Sequence, residues 1–412
     1  MNRVILHCDL NSFFASVELL EYPQFHHLPV AVCGDPHSRQ GVVLAKNDLA
    51  KAFQVSTGQT VWQARNLCPE LILLPAHGEK YRYFSRKVNQ IYLDYSDLVE
   101  PYGVDESWVD VTGSLHLFGK SPVALADEIR KRSLEELGLS LSIGVSFNKI
   151  FAKLGSDYKK PNATTEITPE NFKEIVWRLP LGDLLYAGKA TQKKLRPYGI
   201  LTIGDLANYD VKVLSLLLGK QGEMLHRYAN GLDDSPVDDF FLKEAPKSVG
   251  QGLTFAKDLE GRDAIRSGIY MLADHVALRL RQHGLHCYGV QLTLRDPEFH
   301  NISRQCQLEN PSHLCQEISE VAFALAEKHW NFRKPVRAVS VTAISLVPSQ
   351  QTGKQLTLFN QGEDKEEKYQ KIAQATDELR AKYGRKILGP ASAPQKKRSN
   401  GSIAFSSDET AD

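Results

Sequence analysis

The chain has 412 residues, enough for two to four domains, and its 42% hydrophobic content suits buried cores. The 50 Lys and Arg balance 49 Asp and Glu for a net charge of +1, so total charge points to no polyanionic partner; 141–200 is locally basic, with ten Lys or Arg against five Asp or Glu. The absence of an uncharged apolar window of about 18 residues argues against a membrane span, Val4–Leu6 is too short for a secretion-signal core, and six cysteines without a CxxC pair argue against a common zinc site and fit the reduced thiols of a cytosolic protein.

In chain order, Val4–Cys8 reads as a buried central strand that stops at Asp9. Ser12 is placed to cap a helix over Phe13–Leu20. Pro29–Cys33 and Val42–Ala45 read as strands, and Asn47–Phe53 and Thr60–Asn66 as short helices. Apolar residues three and four apart make Tyr81–Tyr95 an amphipathic helix. Val99–Thr112 reads as a hairpin turning at Gly103. A helix over Ala124–Leu137, a strand over Leu139–Val145 and a helix over Asn148–Ser156 complete an α/β domain with a mixed sheet.

Pro169–Gly231 shows short helices with glycine stops and no convincing strand. Asp233–Pro246 is acidic, contains proline and reads as a linker. Strands return at Ser248–Phe255, His286–Leu294 and Val336–Leu346, with helices over Arg262–His283 and Pro311–His329, a βαββαβ-like rhythm of a small α+β domain. Glu363–Tyr383 reads as a charged helix and Gly389–Asp412 as disordered.

Two acidic positions stand out. Asp9 ends the first strand, and Asp105 and Glu106 are neighbours on the hairpin. Carboxylates where a strand leaves the core are costly unless they face water, pair or bind a metal. Neighbours on a regular strand point to opposite faces, so Asp105 and Glu106 need a bulge, or a second ion on the far side. Three carboxylates around Mg2+ ions about 3.5 to 4 Å apart suit phosphoryl transfer. Taken singly, Asp9 also reads as a helix cap and the other two as surface charges; Asp110 reads as structural.

CDLNSFFASVE at 8–18, VDESWVDVT at 104–112 and SIGVSFNKIFAKLGSDYKKPNA at 142–163 resemble, in order and spacing, three blocks of the Y-family DNA polymerases, whose bacterial branches are DNA polymerase IV and the catalytic subunit of polymerase V. The resemblance implies a right-hand polymerase, α/β and α+β and multidomain. Its palm is split as 1–10 and 77–166 around fingers at 11–76. A helical thumb with a helix-hairpin-helix spans 167–235, a linker 236–246, a little finger 247–348 and a tail 349–412. It implies low-fidelity, template-directed insertion of dNTPs opposite damaged DNA in a bacterial cytoplasm, within the SOS response and without a proofreading exonuclease. Asp9, Asp105 and Glu106 fall on the catalytic metal-binding carboxylates and the Leu10 carbonyl on a further metal contact, for two Mg2+ ions with Mn2+ as a substitute. Phe14 falls on the steric gate that rejects a 2′-hydroxyl by filled volume. Phe13 is its core partner, with a backbone N–H toward the triphosphate, and Lys160 reaches the phosphates.

Two departures from the family pattern carry expectations. Where the family often reads NYEAR, this chain reads Asn47-Asp48-Leu49-Ala50-Lys51; Lys51 keeps the charge without the bidentate fork, and Asp48 repels phosphate unless turned away. In the thumb, Tyr186-Ala187-Gly188 keeps only the second glycine of a Gly-x-Gly hairpin whose N–H groups hold a DNA phosphate, so Tyr186 is expected to force a different hairpin. Gln355-Leu356-Thr357-Leu358-Phe359 is similar to the sliding-clamp motif QLxLF, in which Gln355, Leu356, Leu358 and Phe359 make the contacts. The Lys396-Lys397-Arg398 cluster implies loose DNA attraction only. The implied partners are primer-template DNA, dNTPs and the replication clamp, with no membrane, for a monomer. A non-catalytic adapter bound to DNA and clamp, and a nucleotidyl cyclase using the same palm carboxylates, are the competing readings.

Overall fold

Every residue of Ile5–Leu10 is buried, as a strand inside a sheet covered on both faces must be. The computed structural model describes residues 3–35, 41–242, 245–351, 363–384 and 387–388. They divide into two compact units, one up to residue 242 and one from residue 245. The strands of the first unit are β1 (Ile5–Leu10), β2 (Val30–Cys33), β3 (Val43–Lys46), β4 (Ile72–Pro75), β5 (Val99–Tyr102), β6 (Glu106–Asp110), β7 (Leu141–Ser146) and β8 (Thr164–Ile167).

β1 is the middle of a five-stranded sheet ordered β5-β6-β1-β7-β8. Only the β7–β8 pair is parallel, so the sheet is mixed as the sequence pattern implied. Alternation sends Leu6, Cys8 and Leu10 to the main core, with residues of the helices Phe13–Leu19, Gly78–Leu93 and Pro122–Leu137. Ile5 packs on the opposite side, with Trp108 and Ala152 of the helix Lys149–Tyr158. That helix lies very close to β7. A Cβ on Gly144 would fall 1.8 Å from the Ala152 carbonyl oxygen, and one on Gly155 2.9 Å from the Gly144 Cα. The two glycines bring the helix against the sheet, and Lys153 and Ser156 with it.

A three-stranded sheet, β3-β2-β4, has its own small core of Ala31, Val43, Ala50, Val55 and Ala64. Residues 172–229 are helical, as expected, and their core shares Phe151 and Leu154 with the helix Lys149–Tyr158. The expected linker is tied down over its described first part: Val237 is buried with Ile5 and Trp108, and the Phe240 N–H donates to the Asp97 carbonyl.

The second unit contains β9 (Ser248–Leu259), β10 (Leu285–Arg295), β11 (Asn301–Ser312) and β12 (Val336–Pro348), antiparallel in the order β11-β10-β12-β9. The helices Gly261–Gln282 and Cys315–His329 share its core with the sheet. The second helix starts four residues later than expected, because Pro311 and Ser312 belong to β11. The helix Glu363–Tyr383 has its expected bounds and is anchored: Arg281 forks onto Asp377 and Arg380 onto Asp274. Gly389–Asp412 and the Lys396-Lys397-Arg398 cluster lie outside the described residues.

Candidate active site

Asp9 is the penultimate residue of β1 and lies opposite Glu106 of β6 and Ser142 of β7. The Leu10 N–H donates to the Asp105 carbonyl at 3.0 Å, which ties the end of β1 to the β5–β6 turn. Asp105 belongs to that turn, which Gly103 opens with a φ of 87°, and β6 begins at Glu106. Strand alternation therefore does not separate Asp105 from Glu106, and no bulge is needed. Asp9, the Leu10 backbone, Asp105 and Glu106 all border one cleft of about 420 Å³, and Phe13, Phe14, Lys51 and Lys160 border it as well. Each described residue singled out as catalytic, metal-binding or nucleotide-binding thus lies on that cleft. Gln355, Leu356, Leu358 and Phe359 lie outside the described residues.

The charges at this end of the sheet are crowded. Asp9 is only 5% exposed. Burial pushes its carboxyl up to about 7, against the pull of Lys160, whose Nζ lies 2.5 Å from Oδ2. Burial also raises the Asp105 carboxyl, and the neighbouring Glu106 charge raises it further. Burial opposes ionisation of Glu106 too, but His7 and Lys153 outweigh it and hold the carboxyl down at about 2. Lys153 and His7 both approach Glu106 Oε2. Lys160 bridges Asp9 and Asp157, which together raise its proton affinity in spite of burial.

His7 is fully buried behind this cluster, and burial lowers its pKa to about 4, so the ring is neutral near pH 7. Its Nδ1 lies 2.8 Å from Ser156 Oγ, and its Nε2 lies 3.3 Å from Glu106 Oε2, off the line of a good hydrogen bond. The Ser156 hydroxyl also donates to the Lys153 carbonyl at 2.8 Å, which ties the ring to the helix that carries Lys153.

The Phe13–Leu19 helix starts after Ser12, which adopts a left-handed φ of 50° and makes no side-chain cap, contrary to the capping expectation. The turn sends Phe13 into the core and leaves Phe14 half-buried at the cleft. Phe14 stacks on Tyr81 with ring centroids 4.0 Å apart and 8° between planes. The Tyr81 hydroxyl donates at 2.6 Å to Glu18, a fully buried carboxylate that also meets His77 Nδ1 at 3.0 Å. Phe14 therefore rests on a hydrogen-bonded floor. Asp110 is structural, as expected: its Oδ1 accepts from the Thr112 N–H and hydroxyl.

In the helical region Tyr186 takes a φ of 68°, the conformation a glycine adopts freely, and Gly188 leads into the helix Lys189–Leu195. Gln221 donates to the Tyr186 carbonyl at 3.1 Å. The tyrosine thus sits in a strained left-handed turn that its surroundings hold.

Sequence reasoning missed His7, Lys46 and Lys153. His7 lies two residues before Asp9, the spacing that puts both on one face of a strand. Lys153, Ser156 and Asp157 share one helix face by their three- and four-residue spacing, and Lys160 follows that helix. Lys46 borders the cleft from β3, and no periodicity singles it out.

The donor set suits divalent cations: Asp9 and Asp105, whose ionisation is opposed by burial and by the Glu106 charge, gain from a positive ion beside them. Asp9, Asp105 and Glu106 do not bring one oxygen each within 4.8 Å of one another; ammonium groups hold Asp9 and Glu106. The tighter His and carboxylate group among the described residues, Asp296, Glu298 and His300, closes the β10–β11 turn, where Asp296 accepts from the His300 N–H and meets its Nδ1.

The model of the impB/mucB/samB family matches residues 8–157, and the model of that family's C-terminal domain matches 246–358. The chain is 45% identical over 384 residues to DNA polymerase IV of Acetivibrio thermocellus, covering 93% of this chain and 96% of that protein. It is 38% identical over 387 residues to DNA polymerase IV 1 of Bacillus subtilis, covering 94% and 92%. Among solved structures, a Y-family DNA polymerase chimera matches with a TM-score of 0.74 over 84% of this chain and 99% of that one; at 21% identity the likeness shows the fold.

Proposed function

Because the chain belongs to the impB/mucB/samB family, within the Y-family DNA polymerases, we propose that it is a DNA-directed DNA polymerase of the translesion type. It adds dNTPs to a primer 3′ end and inserts opposite damaged template bases, without proofreading. The observation that carries this reading is the single cleft bordered by Asp9, Asp105, Glu106, Phe14, Lys51 and Lys160. In this reading the five-stranded sheet is the palm, the β3-β2-β4 sheet the fingers, residues 167–235 the thumb and 247–348 the little finger.

Asp9, the Leu10 carbonyl, Asp105 and Glu106 would hold two Mg2+ ions, or Mn2+. Bound there, such ions make the primer 3′-hydroxyl more acidic and offset charge on the triphosphate. In the reaction the 3′-hydroxyl gives up its proton to solvent, its oxygen bonds to the α-phosphorus, the bond from that phosphorus to the oxygen bridging to the β-phosphate breaks, and pyrophosphate leaves with that oxygen. Lys160 is placed to exchange Asp9 for a phosphate oxygen, as a compact point charge does readily. Phe13 offers its N–H to the triphosphate. Phe14, backed by Tyr81, excludes a 2′-hydroxyl because its stacked ring cannot retreat into the core. The thumb hairpin around Tyr186 holds a DNA phosphate. Gln355, Leu356, Leu358 and Phe359 dock on a bacterial sliding clamp, and the polymerase works as a monomer in the cytoplasm during the response to DNA damage.

Primer extension with Mg2+, on undamaged and lesion-bearing templates, tests the reading. Extension on both is expected, with clamp stimulation that Leu358→Ala with Phe359→Ala removes while extension on a short free primer persists. A chain that binds primer-template and clamp yet extends neither template is an adapter, and the polymerase reading fails.

A further inference from the structure

We propose that Lys46 is a phosphate-binding residue, which with Lys51 grips the triphosphate of the incoming nucleotide. The proposal rests on the polymerase reading of the cleft and adds to it a residue that the family's motif, with its contacts at positions 48 and 51, leaves out.

Lys46 is the last residue of β3, on the same strand face as Leu44, and both border the cleft that contains the carboxylates. Its side chain is half-buried. Among the described residues its ammonium has one weak hydrogen bond, to Thr57 Oγ1 at 3.5 Å, and the Thr57 hydroxyl is itself directed to the Leu44 carbonyl at 3.3 Å. No carboxylate oxygen of a described residue lies within 4.0 Å of the Lys46 or Lys51 ammonium. The other two cations at the site differ: Lys160 is committed to Asp9 and Asp157, and Lys153 to Glu106.

The Lys51 charge also acts on Lys46. Burial lowers the proton affinity of Lys46, and the Lys51 charge lowers it further. Asp48 offsets part of this repulsion, and a polyanion bound between the two ammonium groups relieves more of it. The cleft thus has an acidic end at Asp9, Asp105 and Glu106 and a basic end at Lys46 and Lys51. A nucleoside triphosphate matches this polarity, because its terminal phosphates are its most negative part. The pair also makes good a deficit. A lysine at position 51 has no fork to hold two phosphate oxygens, but a second lysine supplies a second point contact. Asp48, in the first turn of the neighbouring helix, weakens the local potential, which makes the second cation more necessary.

The test is single-nucleotide insertion by Lys46→Gln and Lys46→Arg, each checked by thermal melting for an intact fold. Lys46→Gln is expected to raise the dNTP KM about tenfold or more with kcat nearly unchanged, as loss of a charge-assisted phosphate contact implies. Lys46→Arg should restore KM. Inorganic tripolyphosphate should bind the wild-type chain in calorimetry, and Lys46→Gln should weaken that binding by a similar factor. A KM that does not move, a kcat that falls alone, or equal tripolyphosphate binding by wild type and Lys46→Gln would each overturn the proposal. If the wild-type chain extends no primer, the polymerase reading fails, while the tripolyphosphate comparison still decides whether Lys46 binds phosphate.

Discussion

In the first unit Asp9, Asp105 and Glu106 gather at one end of a sheet with Lys153 and Lys160; in the second, Asp377 and Asp274 meet Arg281 and Arg380 across two helices. The second arrangement is settled. Arg281 places Nε 2.6 Å and Nη2 3.0 Å from the two oxygens of Asp377, and Arg380 forks onto Asp274 in the same way. Each carboxylate has its own planar cation, the geometry that gives the strongest charged hydrogen bonds. The first arrangement is unsettled: one buried and two half-buried carboxylates share two lysines, and two of the three are pushed toward protonation. Charges matched one to one join parts of a fold, whereas charges left over at a cleft mark a place that gains from a further ion or substrate.

The largest expected effect comes from removing one of the surplus acids. Asp105→Ala should lower primer extension by at least about a hundredfold, since an electrostatic contact to the transition state is lost. Binding of primer-template should persist, and the metal-free protein should melt no earlier than wild type, because a repelling charge has gone. Near-normal extension by Asp105→Ala would break the contrast between the two clusters.

His7→Gln sharpens the contrast through pH. A buried histidine with its pKa depressed from 6.5 to about 4 binds its proton later in the folded chain than in the unfolded one. Its share of stability is present above pH 6.5 and is lost as pH falls through 4. The stability difference between wild type and His7→Gln, measured by denaturant titration under chelation, should therefore shrink by up to about 3 kcal/mol over that window. Asp9, raised toward 7, acts in the opposite sense in both proteins, so it cancels in the difference. A difference that is flat with pH would show that His7 is charged or solvated in the folded chain.

The smallest effect should come from the settled side. Arg380→Ala leaves Asp274 without its fork and loosens the helix Glu363–Tyr383, at a cost of about 1 to 3 kcal/mol. The change should appear in the melting of the second unit, with extension on a short free primer unaltered. A loss of basal extension without loss of stability would mean that this cluster takes part in the site.

Much of this was legible along the chain, for reasons that are local. A continuous apolar run marks a strand buried on both faces, and its stop at Asp9 located the first site carboxylate. Alternation and a glycine turn located the hairpin with Asp105 and Glu106, and charge with helical spacing located Glu363–Tyr383. Three strands were not legible. β4 is four residues ending in proline, β8 is a four-residue edge, and β11 is a mostly polar and exposed edge whose pattern differs little from a loop.

The sequence by itself determined the residue types at the site, most of the element order and the family, because these depend on composition and spacing that survive in one dimension. Only the tertiary structure decided which charges meet. Lys160 reaches Asp9 across 151 positions, and Ser156 reaches His7 across 149. Those contacts exist because Gly144 and Gly155 let a helix lie against the sheet; the hairpin turn, rather than the strand, carries Asp105 to the same cleft. Lys46 joins the same cleft from a separate small sheet. Local propensity sets what each segment becomes; the pKa of a buried carboxyl depends on which distant side chains the packing brings within a few ångströms, and no local pattern records that.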